Sequence, residues 1–262
     1  MLKKVGIVFS GGGIRGVAHL GVIKALLQYD IKIHSMSGTS AGAMVAAFVS
    51  AGYLPDEIKD IIKTNSFFGY KHLLWGKAGL FDMGLFDEAF KKYFPHNKIE
   101  QLPIPVFIAT TDIVNGKSYL IDKGDLSIAL QASSCVPLVF QPINYMGKTL
   151  VDGAITNNLP IEPLLNTCDA IVGIHVNSMS KNVDEIHMKD MLDRSFHLAL
   201  AQSVYAKSHQ CKLFIEPPNM SRFGMFDMDK IDEIFENAYK YTLSMESEIK
   251  KFIAQIQNDE TT

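Results

Sequence analysis

The chain has 262 residues, 47% apolar and 20% charged, enough to bury one large core, and its 19 glycines and 10 prolines exclude a disordered or collagen-like chain. Twenty-five Lys and Arg against 28 Asp and Glu leave a net charge of -3, which excludes a protein that coats nucleic acid through its phosphates. Three scattered cysteines, Cys135, Cys168 and Cys211, form no C-x-x-C pair, so neither a disulfide framework nor a zinc knuckle is expected and a reducing, cytoplasmic setting fits.

Lys3 and Lys4 precede Val5 to Phe9, but this apolar stretch is too short for a secretory signal and Ser10 to Gly16 breaks it, so it reads as a first strand. Val17 to Tyr29 carries apolar residues at helical spacing, and Ile33 to Ser37 reads as a second strand. Ser40 to about Ala51 is an alanine-rich, almost wholly apolar helix expected to lie buried on the sheet. Pro55-Asp56-Glu57 opens a short amphipathic helix to Thr64. Further strands are predicted at Val106 to Asp112, Lys117 to Ile121, Lys148 to Val151, Ala170 to Val176 and Lys212 to Ile215, with Asn115-Gly116 as a hairpin turn. Helices follow Asp125, Asp184 and Asp229, the last two about 25 residues each by periodicity. The charge-free windows Ile33 to Pro55 and Leu126 to Gly147 are too rich in polar residues and proline to cross a bilayer. Strands alternating with helices predict an α/β fold, a mostly parallel sheet covered on both faces.

Charge is uneven along the chain. Residues 1–50 carry five basic residues against one acid, whereas residues 151–262 carry ten against seventeen; solvated helix faces account for those acids.

Gly11-Gly12-Gly13-Ile14-Arg15-Gly16 lies between a strand and a helix and matches G-x-G-x-x-G. A dinucleotide site would need an acid at the end of the second strand, where Ser37-Gly38-Thr39-Ser40 stands instead. The loop still suits an oxyanion, because consecutive glycines let N–H groups converge beside a helix N-terminus. Gly38-Thr39-Ser40-Ala41-Gly42 is G-x-S-x-G in strand-to-helix context, the setting of a nucleophilic serine on a strained turn. The Ser40 N–H is expected to face the same space as its hydroxyl.

Serine needs a base, and the chain offers eight histidines. His209, near the end of a long helix, is the best of them for a triad, with His175 in an apolar strand as a second choice. Asp152, in Thr149-Leu150-Val151-Asp152-Gly153-Ala154, ends a short strand and is a different answer, although Asp-Gly commonly only starts a turn.

Taken together, the glycine loop, Gly38-Thr39-Ser40-Ala41-Gly42 and Asp152-Gly153-Ala154 resemble the patatin-like phospholipase family in order and spacing. Ala132-Ser133-Ser134-Cys135-Val136-Pro137 is similar to its serine-containing, proline-ended segment, and Asn157 with Pro160 to the stretch after the aspartate. The resemblance covers roughly residues 5–165. It implies a three-layer α/β/α fold, here as one domain over residues 1–262, and a Ser-Asp dyad without histidine. On this chain it makes Ser40 the nucleophile and Asp152 the general base, with Gly11, Gly12 and Gly13 as oxyanion donors, Arg15 close by, and Gly38 and Gly42 flanking the elbow. Ala154 departs from the glycine frequent at that place. The implied activity is hydrolysis of phospholipids, lysophospholipids or related acyl esters through an acyl-enzyme.

An acyltransferase would use the same acyl-enzyme, and a binding protein holding a nucleotide on Gly11 to Gly16 stays open as a different class. Phe67 to Phe81, rich in large apolar residues around Trp75, reads as a lid, an acyl-pocket rim or a core-covering segment. The expected partners are an acyl lipid and, transiently, a membrane surface. No cofactor, metal site or nucleic acid is expected, and the oligomeric state is open.

Overall fold

The computed structural model describes residues 3–65, 90–137, 139–179, 188–224 and 227–257. The segment Phe67 to Phe81 and the helix start at Asp184 lie outside the described residues.

The sheet is built from β1 (Val5–Phe9), β2 (Ile33–Thr39), β3 (Val106–Asp112), β4 (Lys117–Ile121), β5 (Ile143–Tyr145), β6 (Lys148–Asp152), β7 (Ala170–Ile174) and β8 (Leu213–Ile215). Their order is β5-β6-β3-β2-β1-β7-β8, and β4 also pairs with β3. From β3 through β8 along this order the strands are parallel, while β4 and β6 pair antiparallel with β3 and β5 pairs antiparallel with β6. The central strands β1 and β7 are apolar runs buried at every position, as strands covered on both faces must be.

The helices are α1 (Val17–Leu26), α2 (Ala41–Ser50), α3 (Pro55–Asn65), α4 (Leu126–Ser133), α5 (Glu162–Leu165), α6 (Met188–Ser208), α7 (Ile231–Ser244) and α8 (Glu246–Gln257). Alternation along β1 sorts them into two layers. Val5, Ile7 and Phe9 face the large core shared with α1, α2, α3, α4, α7 and α8, whereas Val8 faces a smaller cluster with Leu164 of α5 and Val204 of α6. The result is the expected α/β/α arrangement.

Three local expectations change. The helix after Asp229 is two helices, broken at Met245, whose ψ of 23° leaves the helical range. Periodicity misses the break because the buried series Phe235, Ala238, Thr242, Ile249 and Phe252 keeps its helical spacing across it. Strand β5 is an addition. It forms a hairpin with β6 through Met146 and Gly147, both at positive φ (51° and 71°), a turn that Tyr-Met-Gly-Lys signals only weakly. The second strand runs on to Thr39, so Ser40 alone separates it from α2.

Candidate active site

The site is assembled at the C-terminal edge of the parallel strands. Ser40 holds φ 54° and ψ -124°, a left-handed backbone that a non-glycine residue adopts only under constraint. Its neighbours explain the two elbow glycines. A Cβ on Gly38 would lie 2.6 Å from the Ala43 nitrogen, and one on Gly42 would lie 2.4 Å from the Ser10 carbonyl oxygen. The turn therefore packs directly onto β1 and the first turn of α2.

Asp152 reaches Ser40 through strand register. Thr39 pairs with Ala109 of β3, and Asp152, the last residue of β6, pairs with Thr110, the next residue along. The Ser40 side chain lies close enough to the Asp152 carboxylate to lower its pKa, and that carboxylate accepts from the Ala154 N–H at 2.8 Å. Both residues are buried, at 6% and 5% exposure. Burial pushes the Asp152 carboxyl up to about 6, against the opposing pull of the Ala154 N–H and the Ser40 side chain. A carboxylate so placed is basic enough to take a proton near neutrality and remains ionised at pH 7.

The glycine loop lies against this pair, since a Cβ on Gly11 would sit 3.3 Å from that of Ser40. Its N–H groups are not equivalent. The Gly11 N–H donates to Asn158 Oδ1 at 2.9 Å, and the Gly11 carbonyl accepts from Asn177 Nδ2 at 2.7 Å. Gly11 is thus fixed on both sides, and the expectation that its N–H serves an oxyanion is corrected. Among the described residues, the N–H groups of Gly12 and Gly13 have no hydrogen-bond acceptor, and Gly13 takes the positive φ of 56° that turns the loop. The N–H groups of Ala41 and Gly42, at the positive end of α2, likewise have none.

Arg15 is buried and faces away from this role. Its Nε donates to the Phe223 carbonyl at 2.7 Å and its Nη1 approaches Asn177 Oδ1 at 3.4 Å, which ties the loop to the C-terminal segment. The Ser40 N–H is also engaged: it donates to Ser133 Oγ at 2.8 Å rather than facing the space beside its hydroxyl.

The histidine alternatives do not converge here. His209 is exposed in the turn before β8, at the N-terminal edge of the parallel strands and so at the opposite end of the sheet from Ser40. His175 is fully buried; burial, with the nearby His19 and His197, holds its imidazole down to about 3, and neither ring nitrogen makes a hydrogen bond. The sequence reading missed Asn158, Asn177 and Ser133 as parts of the site. The family-like segments around 133 and 157 were the available signal, but their roles lie in contacts across 93 to 166 residues.

An apolar cavity adjoins the elbow, lined by Gly16, Val17, Ala41, Met44, Val45 and Phe48 together with Ile58 and Ile62 of α3. Among the described residues, no helix is long and apolar enough to cross a membrane.

The fold is shared with solved structures. VipD from Legionella pneumophila superposes with a TM-score of 0.57 at 15% identity, covering 96% of this chain and 67% of that one. Human GIVD cytosolic phospholipase A2 does so with a TM-score of 0.52 at 9% identity, covering 98% and 59%. The sequence assigns the family. The patatin-like phospholipase profile matches residues 7–165, and the chain belongs to that family. An NTE family protein of Mycobacterium tuberculosis is 33% identical over 178 residues, which are 66% of this chain and 49% of that protein. Lysophospholipase NTE1 of Meyerozyma guilliermondii is 27% identical over 91% of this chain and 19% of its own length. The chain thus spans half or less of the length of these curated relatives.

Proposed function

We propose that this chain is a serine acyl hydrolase that cleaves carboxylic esters of phospholipids, lysophospholipids or related acyl lipids through a Ser40-Asp152 dyad. The observation that carries the reading is the strand register that sets Ser40 beside a buried carboxylate, Asp152, whose pKa is pushed up to about 6. The names of its relatives, a lysophospholipase and a phospholipase A2, support the lipid class.

In this mechanism Asp152 takes the Ser40 proton as Oγ attacks the ester carbonyl. The tetrahedral oxyanion is met by the Gly12 and Gly13 N–H groups beside the positive end of α2. The intermediate collapses to an acyl-Ser40 ester, and the protonated Asp152 returns its proton to the departing alkoxide. Water then adds to the acyl-enzyme with Asp152 again as base, releasing the fatty acid and restoring the Ser40 hydroxyl. An alcohol in place of that water would give acyl transfer from the same intermediate.

Contact with a lipid surface belongs to the same proposal. β3 continues three residues past Ala109 to Asp112 before its turn, which carries Ile113 and Val114 roughly 10 Å beyond the level of Ser40. Val114 is 75% exposed and Ile113 45%, and Met146 on the neighbouring β5–β6 turn is 45% exposed, close enough to accept from the Tyr119 hydroxyl at 3.6 Å. Apolar turn residues on the site's own edge suit a shallow contact with lipid.

The test is intact-mass measurement after exposure to a fluorophosphonate, on the wild type, Ser40→Ala and Asp152→Asn. One adduct on the wild type, absent from Ser40→Ala and strongly slowed in Asp152→Asn, is the expected result. An adduct that persists in Ser40→Ala, or no adduct with or without detergent micelles, overturns the reading.

A further inference from the structure

We propose that Ser133, at the end of α4, is a positioning residue that holds the nucleophile and its base in register; the inference rests on the Ser40-Asp152 reading above.

The strained backbone of Ser40 needs something to hold it, since a left-handed serine relaxes unless its surroundings fix it. Ser133 supplies the contact. Its Oγ accepts the Ser40 N–H at 2.8 Å and donates its own proton to the Ala109 carbonyl at 2.6 Å. Ala109 is the β3 residue paired with Thr39, so the hydroxyl bridges the elbow to the strand beside it. Two residues further on, the Cys135 carbonyl accepts the Asp152 N–H at 2.9 Å. One three-residue segment therefore grips the main chain of both partners, Ser40 by a side chain and Asp152 by a carbonyl. Ser133 is fully buried, and water has no ready access to replace its hydroxyl.

Ser134 makes the point by contrast. Its side-chain oxygen is also buried, yet it makes no hydrogen bond among the described residues. Of these adjacent serines, only Ser133 reaches the elbow with its hydroxyl.

Removing the Ser133 hydroxyl leaves the Ser40 N–H buried without an acceptor, and the turn shifts to find one. The Ser40 hydroxyl then loses its alignment with Asp152. Substrate contacts are untouched, so the loss falls on kcat and not on KM. The pH profile moves as well: the Ser40 side chain lowers the Asp152 pKa, so moving it away shifts the acidic limb to higher pH.

The experiment measures kcat, KM and the acidic limb on a short soluble ester for the wild type, Ser133→Ala, Ser133→Cys and Ser134→Ala, with active sites counted by fluorophosphonate titration. Ser133→Ala is expected to lose about 10- to 100-fold in kcat per site, with KM close to wild type and the acidic limb moved upward. Ser133→Cys, similar in size with a weaker acceptor, falls between, and it stands in should the alanine variant not fold. Ser134→Ala matches the wild type. Wild-type kcat per site in Ser133→Ala or Ser133→Cys overturns the proposal, as does an equal loss in Ser134→Ala. A wild type that neither turns over ester nor takes the probe sinks the acyl-hydrolase reading and this inference with it, whereas a reactive wild type beside an equally reactive Ser133→Ala sinks this inference alone.

Discussion

Thr39 and Asp152 end two strands that meet head-on along one edge of β3, Thr39 opposite Ala109 and Asp152 opposite Thr110. The shared edge follows from the pairing. β4 pairs with residues 108–112 of β3, which overlaps both the stretch taken by β2 and the stretch taken by β6, so β4 occupies one edge and the other two strands share the second. A parallel strand running up and an antiparallel strand running down thereby deliver a serine and a carboxylate to one point. This is the geometric origin of the proposed dyad, and it depends on the short β5–β6 hairpin returning the chain.

The junction is tight. A Cβ on Gly153, the residue after Asp152, would lie 2.3 Å from the Ala109 carbonyl oxygen. Gly153→Ala is therefore expected to destabilise the fold by about 1–3 kcal/mol, lowering Tm by roughly 2–4 °C per kcal/mol, and to reduce kcat by moving Asp152 off Ser40. Thermal unfolding and ester turnover check both; an unchanged Tm and kcat would show that the strand ends are free to part.

In the proposed mechanism Asp152 sets the pH dependence. With its carboxyl near 6, kcat/KM on a soluble ester should be flat above about pH 7 and fall about tenfold per unit below 6, as the base becomes protonated. A limb centred near 4 would mean that the carboxylate is hydrated in solution.

The same shift has the opposite sense for stability. A carboxyl raised above its unfolded value binds its proton more tightly when folded, so its contribution is favourable below about pH 4 and is lost as pH rises through 6. Asp152→Asn removes a buried charge and should stabilise the protein at pH 8 by up to roughly 3 kcal/mol, with the gain vanishing toward pH 4. Denaturant titrations at the two pH values test this. Equal stability at pH 8 would count against a costly buried carboxylate.

Asn158 anchors the glycine loop. Its Oδ1 accepts the Gly11 N–H, while its own backbone N–H donates to Ser203 Oγ of α6 at 3.3 Å. Asn158→Ala is expected to lower kcat about tenfold with little change in KM, because Gly12 and Gly13 lose their fixed aim at the oxyanion. A wild-type kcat in that variant would assign the loop's rigidity to Asn177 and Arg15 instead.

The exposed turns offer a separate check on the lipid-surface proposal. Val114→Asp should weaken sedimentation with phospholipid vesicles and turnover of vesicle lipid by several-fold, yet leave hydrolysis of a short soluble ester at the wild-type level. Loss of both activities alike would place Val114 in the fold and not at an interface.

The elbow and the strand-loop-helix units on either side of it are legible along the chain. Gly38 and Gly42 announce the turn because their requirement is local: a side chain at either place would strike backbone within a few residues or on the adjoining strand. The apolar runs of β1 and β7 likewise announce a sheet covered on both faces. Long-range contacts set which N–H groups of the glycine loop stay available, how Ser133 and Asn158 are used, and why His209 cannot reach Ser40. Those outcomes rest on hydrogen bonds between residues 93 and 147 positions apart and on the register of β2, β3 and β6, and neither spacing nor periodicity along the chain encodes which strand ends meet.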